Sequence, residues 1–212
     1  MGRKTKKDAV ATRENILAAA ERKFLERGVS ATSLELIARE AGVTRGAIYW
    51  HFRDKAALLE TMLDRVRLPM AELADARRRN PEYQPLSMIH ELCLMVLESL
   101  EHDPSYRNTH AIIYTRCEFV PGANVHLDRL NRIGDDQLTK LVADFAAAQA
   151  RGQLLPGVTP KVAALGLFAI MSGIFHCWLR EPELFAPTVE GRAMLDHFFA
   201  GIQSAAPAAD EA

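Results

Sequence analysis

Apolar residues recur every three or four positions over long segments, which is the spacing of one face of an α-helix. Ile16, Leu17, Ala20 and Phe24 share the first such face, and Gly28 ends it. No segment alternates polar and apolar residues as a half-buried strand does, and no Asn-Gly or Asp-Gly hairpin turn occurs. The pattern therefore predicts an all-α fold of about nine helices.

Prolines and capping residues set the predicted helix boundaries. Thr32 and Glu35 form a capping box, and Thr44, Asp54 and Thr159 stand where a helix begins. Most prolines fall between the periodic segments, whereas Pro69 lies inside one and predicts a kink. The predicted helices are 11–27, 32–41, 45–52, 54–79, 86–101, 104–119, 125–151, 160–179 and 188–204.

The second and third predicted helices have the pattern of a helix-turn-helix. Ala38 is the small residue that lets two helices cross closely, and Gly42 follows at the turn, where the backbone favours a positive φ. Val43 and Ile48 are the apolar residues that hold the crossing angle. The third helix can then lie in a major groove and present its first side chains to base edges.

The charge is divided unevenly along the chain. Residues 1–55 carry 12 Lys and Arg against 7 Asp and Glu, whereas residues 56–212 carry 14 against 20. A basic head joined to an acidic body favours nucleic-acid binding by the head. We therefore predict a helix-turn-helix domain at 1–55, a helical ligand-binding and dimerisation domain at 56–205, and a disordered tail at 206–212.

Other functional classes find little support. The sequence has no zinc-protease, hydrolase, P-loop or dinucleotide motif, so no catalytic residue, cofactor or metal is predicted. Cys93, Cys117 and Cys177 are far apart and are interpreted as buried free thiols of a cytoplasmic protein. The uncharged segment 162–179 just reaches the length of a membrane span, but its Gly, Ser and His residues favour a helix buried in protein.

The run GVTRGAIYWHFRDKAAL resembles the signature of TetR-family regulators. More narrowly, TRGAIYWHF, the RKTK start and CEFV at 117–120 resemble AcrR-type repressors of multidrug efflux pumps. The resemblance implies a homodimer that binds a palindromic operator in double-stranded DNA. It also implies that a small lipophilic or aromatic effector binds the larger domain and weakens the DNA complex.

Carried over by position, the resemblance assigns DNA contacts to the helix-turn-helix. Arg45 is the candidate for reading guanine, while Gly46 and Ala47 allow close approach. The residues assigned to the sugar-phosphate backbone are Ser33, Thr44, Tyr49, Trp50, His51 and Lys55, with help from the arm Arg3, Lys4, Lys6 and Lys7. For Trp50, His51 and the arm, a packing or purely solvated role stays open, and Phe52 is expected in the core.

The effector site and the dimer interface are assigned to the larger domain. Effector contacts are expected from Met70, Leu92, Val96, His110, Tyr114, Phe168 and Met171, although core packing explains several of them equally well. Arg67 departs from AcrR-type relatives that carry a carboxylate there, which favours neutral or anionic effectors. The dimer is expected to pack helices 160–179 and 188–204 through Gly166, Phe175, Trp178, Leu195 and Phe199.

The resulting hypothesis is a non-enzymatic, cytoplasmic repressor of an efflux-pump operon, released from its operator by a lipophilic ligand. Three alternatives stay open at this point. They are a ligand-responsive repressor or activator of an unrelated operon, an enzyme without a known motif, and a membrane-associated helical protein that uses 162–179.

Overall fold

The computed structural model describes residues 6–80, 82–117 and 127–204, with side chains described for 7–80, 82–117 and 136–204. Arg3 and Lys4 of the predicted arm, most of the CEFV segment and the predicted tail at 206–212 lie outside the described residues. Within the described ranges the chain is helical, and the predicted all-α fold is confirmed. The described residues also contain one isolated antiparallel β-bridge, between Leu154 and Gln203.

The observed helices lie close to the predicted ones, apart from the C-terminal segment. They are α1 (Lys6–Arg27), α2 (Leu34–Glu40), α3 (Arg45–His51), α4 (Lys55–Arg78), α5 (Pro85–His102), α6 (Pro104–Thr115), α7 (Leu127–Ala150), α8 (Pro160–Arg180) and α9 (Arg192–Ile202). The predicted last helix, 188–204, is a π-helical turn at Pro187–Gly191 followed by α9. Helix α4 continues through Pro69.

The chain divides into two compact units, and the first comprises residues 1–68 and 104–130. Its core collects the apolar faces of α1 to α4. Phe24, Ile37, Ile48 and Leu58 are fully buried there, and the periodicity of α1 predicted this for Phe24. Burying side chains of this size stabilises a fold by about 1.5–3 kcal/mol each.

Helix α6 belongs to this first unit although it begins 26 residues after the end of α4 in the sequence. Ile112 of α6 is fully buried in the same cluster as the side chains of α1 to α4. After α6 ends, the Arg116 carbonyl accepts a hydrogen bond of 3.0 Å from the Val29 amide, in the loop between α1 and α2. The proposed domain boundary at residue 55 stays a prediction.

The second unit comprises residues 69–103 and 131–212. Its buried apolar residues include Leu97, Leu100, Ile174, Leu195 and Phe199, from α5, α8 and α9. Arg78 near the end of α4 donates from Nε and Nη2 to both carboxylate oxygens of Asp144 on α7, at 2.8 and 2.7 Å. Asp144 is buried, so the pair joins two helices where water is largely excluded.

Helix α8 is long and apolar enough to cross a membrane by length and composition, but a single helix of this kind is weak evidence. One face of α8 is buried in the second unit, through residues such as Ala164, Leu167, Ile174 and Trp178. The opposite face is exposed and carries Val162, Leu165 and Phe168. The interpretation as a helix buried on all sides is therefore only half right within one chain.

Candidate nucleic-acid interface

The turn between α2 and α3 has the geometry that the helix-turn-helix pattern predicted. Gly42 has φ +64°, in the region where a side chain is strained. The Val43 amide donates to the Ala38 carbonyl at 2.9 Å, and Ala38 itself is buried. Asn15 of α1 donates from Nδ2 to the Ala41 carbonyl at 2.6 Å, so α1 fixes the end of α2.

Helix α3 is anchored along one side and exposed along the other. Thr44 is its N-cap, and its hydroxyl accepts a bond of 3.2 Å from the Ala47 amide, as predicted. Ile48 is 0% exposed and Phe52 is 2% exposed, which confirms the core role of Phe52. The predicted DNA-contacting residues Thr44, Arg45, Gly46, Tyr49 and Trp50 are exposed, whereas Ala47 and His51 are half-buried.

Trp50 and Arg45 are the most prominent side chains of this surface. The Arg45 side chain is 74% exposed, and Trp50 is 75% exposed, which excludes a core role for Trp50 within the chain. The Trp50 ring meets the His51 ring edge-on, with centroids 4.5 Å apart. A tryptophan and an arginine this exposed on one short helix are typical of a binding surface rather than of a solvated one.

Glu35 is a member of this surface that sequence reasoning used only as a capping residue. Its Oε1 accepts a hydrogen bond from the Tyr49 hydroxyl at 3.1 Å and lies 3.3 Å from Arg45 Nε. The Arg45 guanidinium also lies over the Tyr49 ring, 5.7 Å from its centroid. The Glu35 backbone N–H, and then the Tyr49 hydroxyl, lower the pKa of this carboxyl from its ordinary value, so it is charged at neutral pH.

The predicted capping box is one residue out of place. Ser33, not Thr32, is the N-cap of α2, and its hydroxyl accepts from the Leu36 amide at 3.1 Å. Thr32 is buried, and its hydroxyl donates to the Gly28 carbonyl at 2.8 Å. Ser33 is exposed, and its phosphate contact stays a prediction.

Lys55 bonds to backbone carbonyls of its own chain, and its phosphate contact stays a prediction. The Lys55 ammonium turns toward the loop between α1 and α2, where it donates to the carbonyls of Val29 at 2.6 Å and Ser30 at 3.2 Å. Partial burial lowers its pKa from the ordinary value. Two backbone carbonyls therefore already accept hydrogen bonds from this ammonium group.

Comparison with known proteins agrees with this geometry. Residues 16–62 match the model for "Bacterial regulatory proteins, tetR family", and residues 84–203 match that for "MAATS-type transcriptional repressor, C-terminal region". This chain belongs to the TetR family. The family consists of transcriptional regulators, and the residues that the matches cover include the whole helix-turn-helix as well as α5, α8 and α9.

Three relatives of this TetR-family protein illustrate the likeness. The HTH-type transcriptional repressor BepR of Brucella suis biovar 1 (strain 1330) is 35% identical, over 91% of this chain and 92% of its own. The crystal structure of NalD, the secondary repressor of the MexAB-OprM multidrug efflux pump in Pseudomonas aeruginosa, has a TM-score of 0.83 and 41% identity, covering 93% and 98% of the two chains. The SmeT–triclosan complex, whose SmeT is the repressor of the Stenotrophomonas maltophilia pump SmeDEF, has a TM-score of 0.82 and 32% identity, covering 93% and 96%.

The residues predicted to bind the effector in this TetR-family protein fall into both units. His110 and Tyr114 lie on α6 in the first unit, with ring centroids 6.4 Å apart. Met70, Leu92, Val96 and Met171 are half-buried in the second unit. Phe168 was expected to face inward, but it is 45% exposed, because α8 turns that face outward. The effector site itself stays a prediction.

Most of the residues predicted to form the dimer contact already pack inside a single chain, and the location of the contact stays a prediction. Phe175, Trp178, Leu195 and Phe199 are buried within a single chain. A Cβ on Gly166 would come within 3.0 Å of the Phe198 ring, so Gly166 allows α8 and α9 of one chain to approach each other. Periodicity marked these positions as buried correctly, but it does not distinguish the core of one chain from a contact between two.

The three cysteines are free, as expected, but they are not all buried. Cys93 and Cys117 are partly buried, and burial raises the pKa of their thiols to about 12 and about 11. Cys177 is exposed on α8, which corrects its predicted burial. Among the described residues, no group of side chains has the composition of a metal site.

His110 gives a prediction about acid stability. Its Nδ1 lies 2.9 Å from the Tyr106 carbonyl oxygen, which accepts the bond, and burial lowers the pKa of the imidazole to about 4 from its ordinary 6.5. The unfolded chain then binds the proton more readily between these pH values, so stability falls as the pH drops from 6.5 toward 4. The loss attributable to this group is about 3 kcal/mol at most.

Urea denaturation of wild type and His110→Asn, from about pH 7 to about pH 4, measures this effect. We expect the variant to lose less stability on acidification, because its amide does not titrate. The exposed His102 on α5 is the matched control, and His102→Asn is expected to follow the wild-type curve. A His110→Asn curve as steep as that of wild type would assign the acid sensitivity to another group.

Proposed function

We propose that this protein is an operator-binding repressor of a multidrug efflux pump operon, released by a small lipophilic ligand. The observation that carries the proposal is α3, which is anchored by Ile48 and exposes Arg45, Tyr49 and Trp50 on its outer side. Both NalD and SmeT, which resemble this chain over almost its whole length, are described as repressors of multidrug efflux pumps.

On the operator, α3 enters the major groove. Arg45 stands at its first turn and reads guanine by donating to O6 and N7. Tyr49, Trp50 and His51 follow the sugar-phosphate wall, and the exposed Ser33 and Thr44 hydroxyls donate to phosphate oxygens. Gly46 and the small Ala47 leave room for the helix to approach the bases.

The candidate effector contacts are the half-buried residues predicted from the sequence. In the second unit they are Met70, Leu92, Val96 and Met171, and in the first unit they are His110 and Tyr114. An uncharged His110 beside Tyr114 suits an aromatic ligand that bears a hydroxyl group. A ligand that prefers the DNA-free arrangement by about 1–3 kcal/mol changes operator affinity 5- to 150-fold.

The protein binds the operator as a homodimer. The two copies contact each other through the exposed face of α8. Val162, Leu165 and Phe168 are 64, 42 and 45% exposed, and they recur at helical spacing. Met194 of α9 is exposed as well. An apolar face of this kind is normally covered in a soluble protein, and a second copy related by a two-fold axis matches a palindromic operator. A DNA-bound regulator of this kind acts in the cytoplasm.

The proposal is tested with the DNA that flanks the protein's own coding region. We expect footprinting to show a protected palindrome, and fluorescence anisotropy to show release when triclosan, the compound in the SmeT complex, is added. A protected palindrome that is not released by triclosan or by a panel of pump substrates would support operator binding. It would contradict the proposed control of an efflux pump. An absence of protection in any flanking DNA would contradict both.

Arg45→Ala is expected to cost roughly 1–3 kcal/mol at the operator and to relax the preference at one base pair of each half-site. The reason is the loss of the two donors that distinguish guanine from the other bases. Arg53, whose side chain is 70% exposed, is the matched control. We expect Arg53→Ala to weaken binding to all sequences alike. Equal losses on all sequences for Arg45→Ala would contradict the base-reading role.

A further inference from the structure

We propose that Glu35 sets the sequence specificity of DNA binding by holding Arg45, together with Tyr49, in the position from which Arg45 reads a base. The inference rests on the proposed function, since it assumes that Arg45 reads a base. Glu35 lies on α2, whereas the two side chains that it contacts lie on α3, so the carboxylate links the two helices of the motif.

One carboxylate oxygen makes both contacts. Oε1 accepts the Tyr49 hydroxyl at 3.1 Å and lies 3.3 Å from Arg45 Nε, while the guanidinium rests over the Tyr49 ring. Arginine is a flexible side chain, and its ordering on DNA has an entropic cost. Three mutual contacts impose part of that order before DNA arrives, which improves binding to the one base pair that fits.

The ion pair also leaves the correct donors available. Glu35 engages the Nε side of the guanidinium, so the two terminal nitrogens remain for guanine O6 and N7. Arg45 is 74% exposed in this arrangement, so the pair with Glu35 does not withdraw it into the fold. The two terminal nitrogens of Arg45 thus stay available for a bidentate contact with guanine.

The same carboxylate has a cost on all DNA. A negative charge beside the phosphate backbone opposes the counterion release that drives non-specific binding. At a preferred site the contact between the oriented arginine and guanine offsets this repulsion. On a random sequence that contact is absent, so the repulsion is not offset. Glu35 therefore raises the ratio of specific to non-specific affinity, which matters more to a regulator than affinity alone.

The test compares Glu35→Gln with wild type in the full-length dimer. A randomised duplex pool first gives the preferred site of wild type, and affinities are then measured for that site, its single-base-pair variants and a random duplex. We expect Glu35→Gln to bind the random duplex about two- to fivefold more tightly, with a salt slope steeper by up to about one unit. Discrimination at the base pair read by Arg45 is expected to fall about three- to tenfold.

Two further variants separate charge from positioning. Glu40 also lies on α2, but it pairs with Arg22 and Lys23 of α1, so Glu40→Gln removes the same charge and is expected to leave base preference unchanged. Tyr49→Phe removes the hydroxyl contact without changing the charge. We expect it to lower base discrimination while leaving the salt slope unchanged.

A measurement without DNA completes the test. The Arg45 Nε–H resonance is expected to exchange slowly with water in wild type and faster in Glu35→Gln. If Glu35→Gln strengthens binding to every duplex equally and keeps its base preference, the Glu35 carboxylate only competes with DNA for Arg45. That result would overturn the inference. If Arg45→Ala shows no base-specific loss, it is instead the proposed reading role of Arg45 that fails.

Discussion

Leu165→Glu combined with Phe168→Glu is expected to produce a monomer that no longer holds a palindromic operator. Both residues lie on the exposed face of α8, which we propose as the dimer contact. In a two-fold dimer, each substitution places two carboxylates in the contact. Because charges in an apolar contact lose hydration without gaining partners, the dimer dissociation constant should rise roughly a thousandfold or more.

The DNA affinity should fall with the dimer. Two heads on one operator bind with the advantage of a high effective concentration, and a monomer loses roughly a hundredfold or more of affinity without any change in its own DNA contacts. Sedimentation velocity and operator titration measure the two effects. The matched control is Met95→Glu, because Met95 of α5 is similarly exposed at 40% and lies outside the proposed contact. A double variant that remains dimeric would place the contact elsewhere.

Arg78→Met is expected to destabilise the fold by about 2–4 kcal/mol, because it leaves the buried Asp144 carboxylate without its partner. Arg78 donates two hydrogen bonds to that carboxylate, and the bond to Asp144 raises the pKa of the guanidinium. The measurement is urea denaturation at one fixed protein concentration, since dimerisation makes stability depend on concentration.

Two controls test whether the loss comes from the buried charge. Asp75 is the exposed partner of Arg78, at 2.6 Å from Nη1, and Asp75→Asn should cost less than about 1 kcal/mol. Arg78→Met with Asp144→Leu should recover most of the lost stability, since neither charge is then buried alone. A loss below about 0.5 kcal/mol for Arg78→Met would show that water reaches Asp144 and screens it.

The sequence was most informative where one local rule acts on neighbouring residues. The caps Thr44, Asp54 and Thr159 were all predicted correctly, as was the positive φ of Gly42, because each depends on the chemistry of a single turn. The buried sides of α1 to α3 follow from spacing in the same way. These features suffice to place α3 as the exposed helix of a helix-turn-helix.

Contacts that cross the fold could not be predicted from local spacing. Lys55 had the sequence position of a phosphate ligand, but it donates to the Val29 carbonyl, 26 residues earlier in the chain. The pairing of Glu35 with Arg45 and Tyr49 depends on how α2 and α3 cross, and helical spacing within each helix carries no information about that crossing. The outward face of α8 was missed for the same reason.

The hydrogen bond between Val29 and the Arg116 carbonyl, together with the burial of Ile112, limits how such regulators can be recombined. A chimera that joins this DNA-reading segment to a relative's body after α4 would bring a foreign helix end against the loop between α1 and α2. The foreign helix would have to end at the same place, so that a backbone carbonyl faces the Val29 amide, and it would have to carry a side chain of the volume of Ile112. Otherwise the transplanted segment keeps an unfilled cavity and an amide without an acceptor. Exchange of operator preference between relatives is thus easier by substitutions on the outer side of α3 than by moving the whole segment.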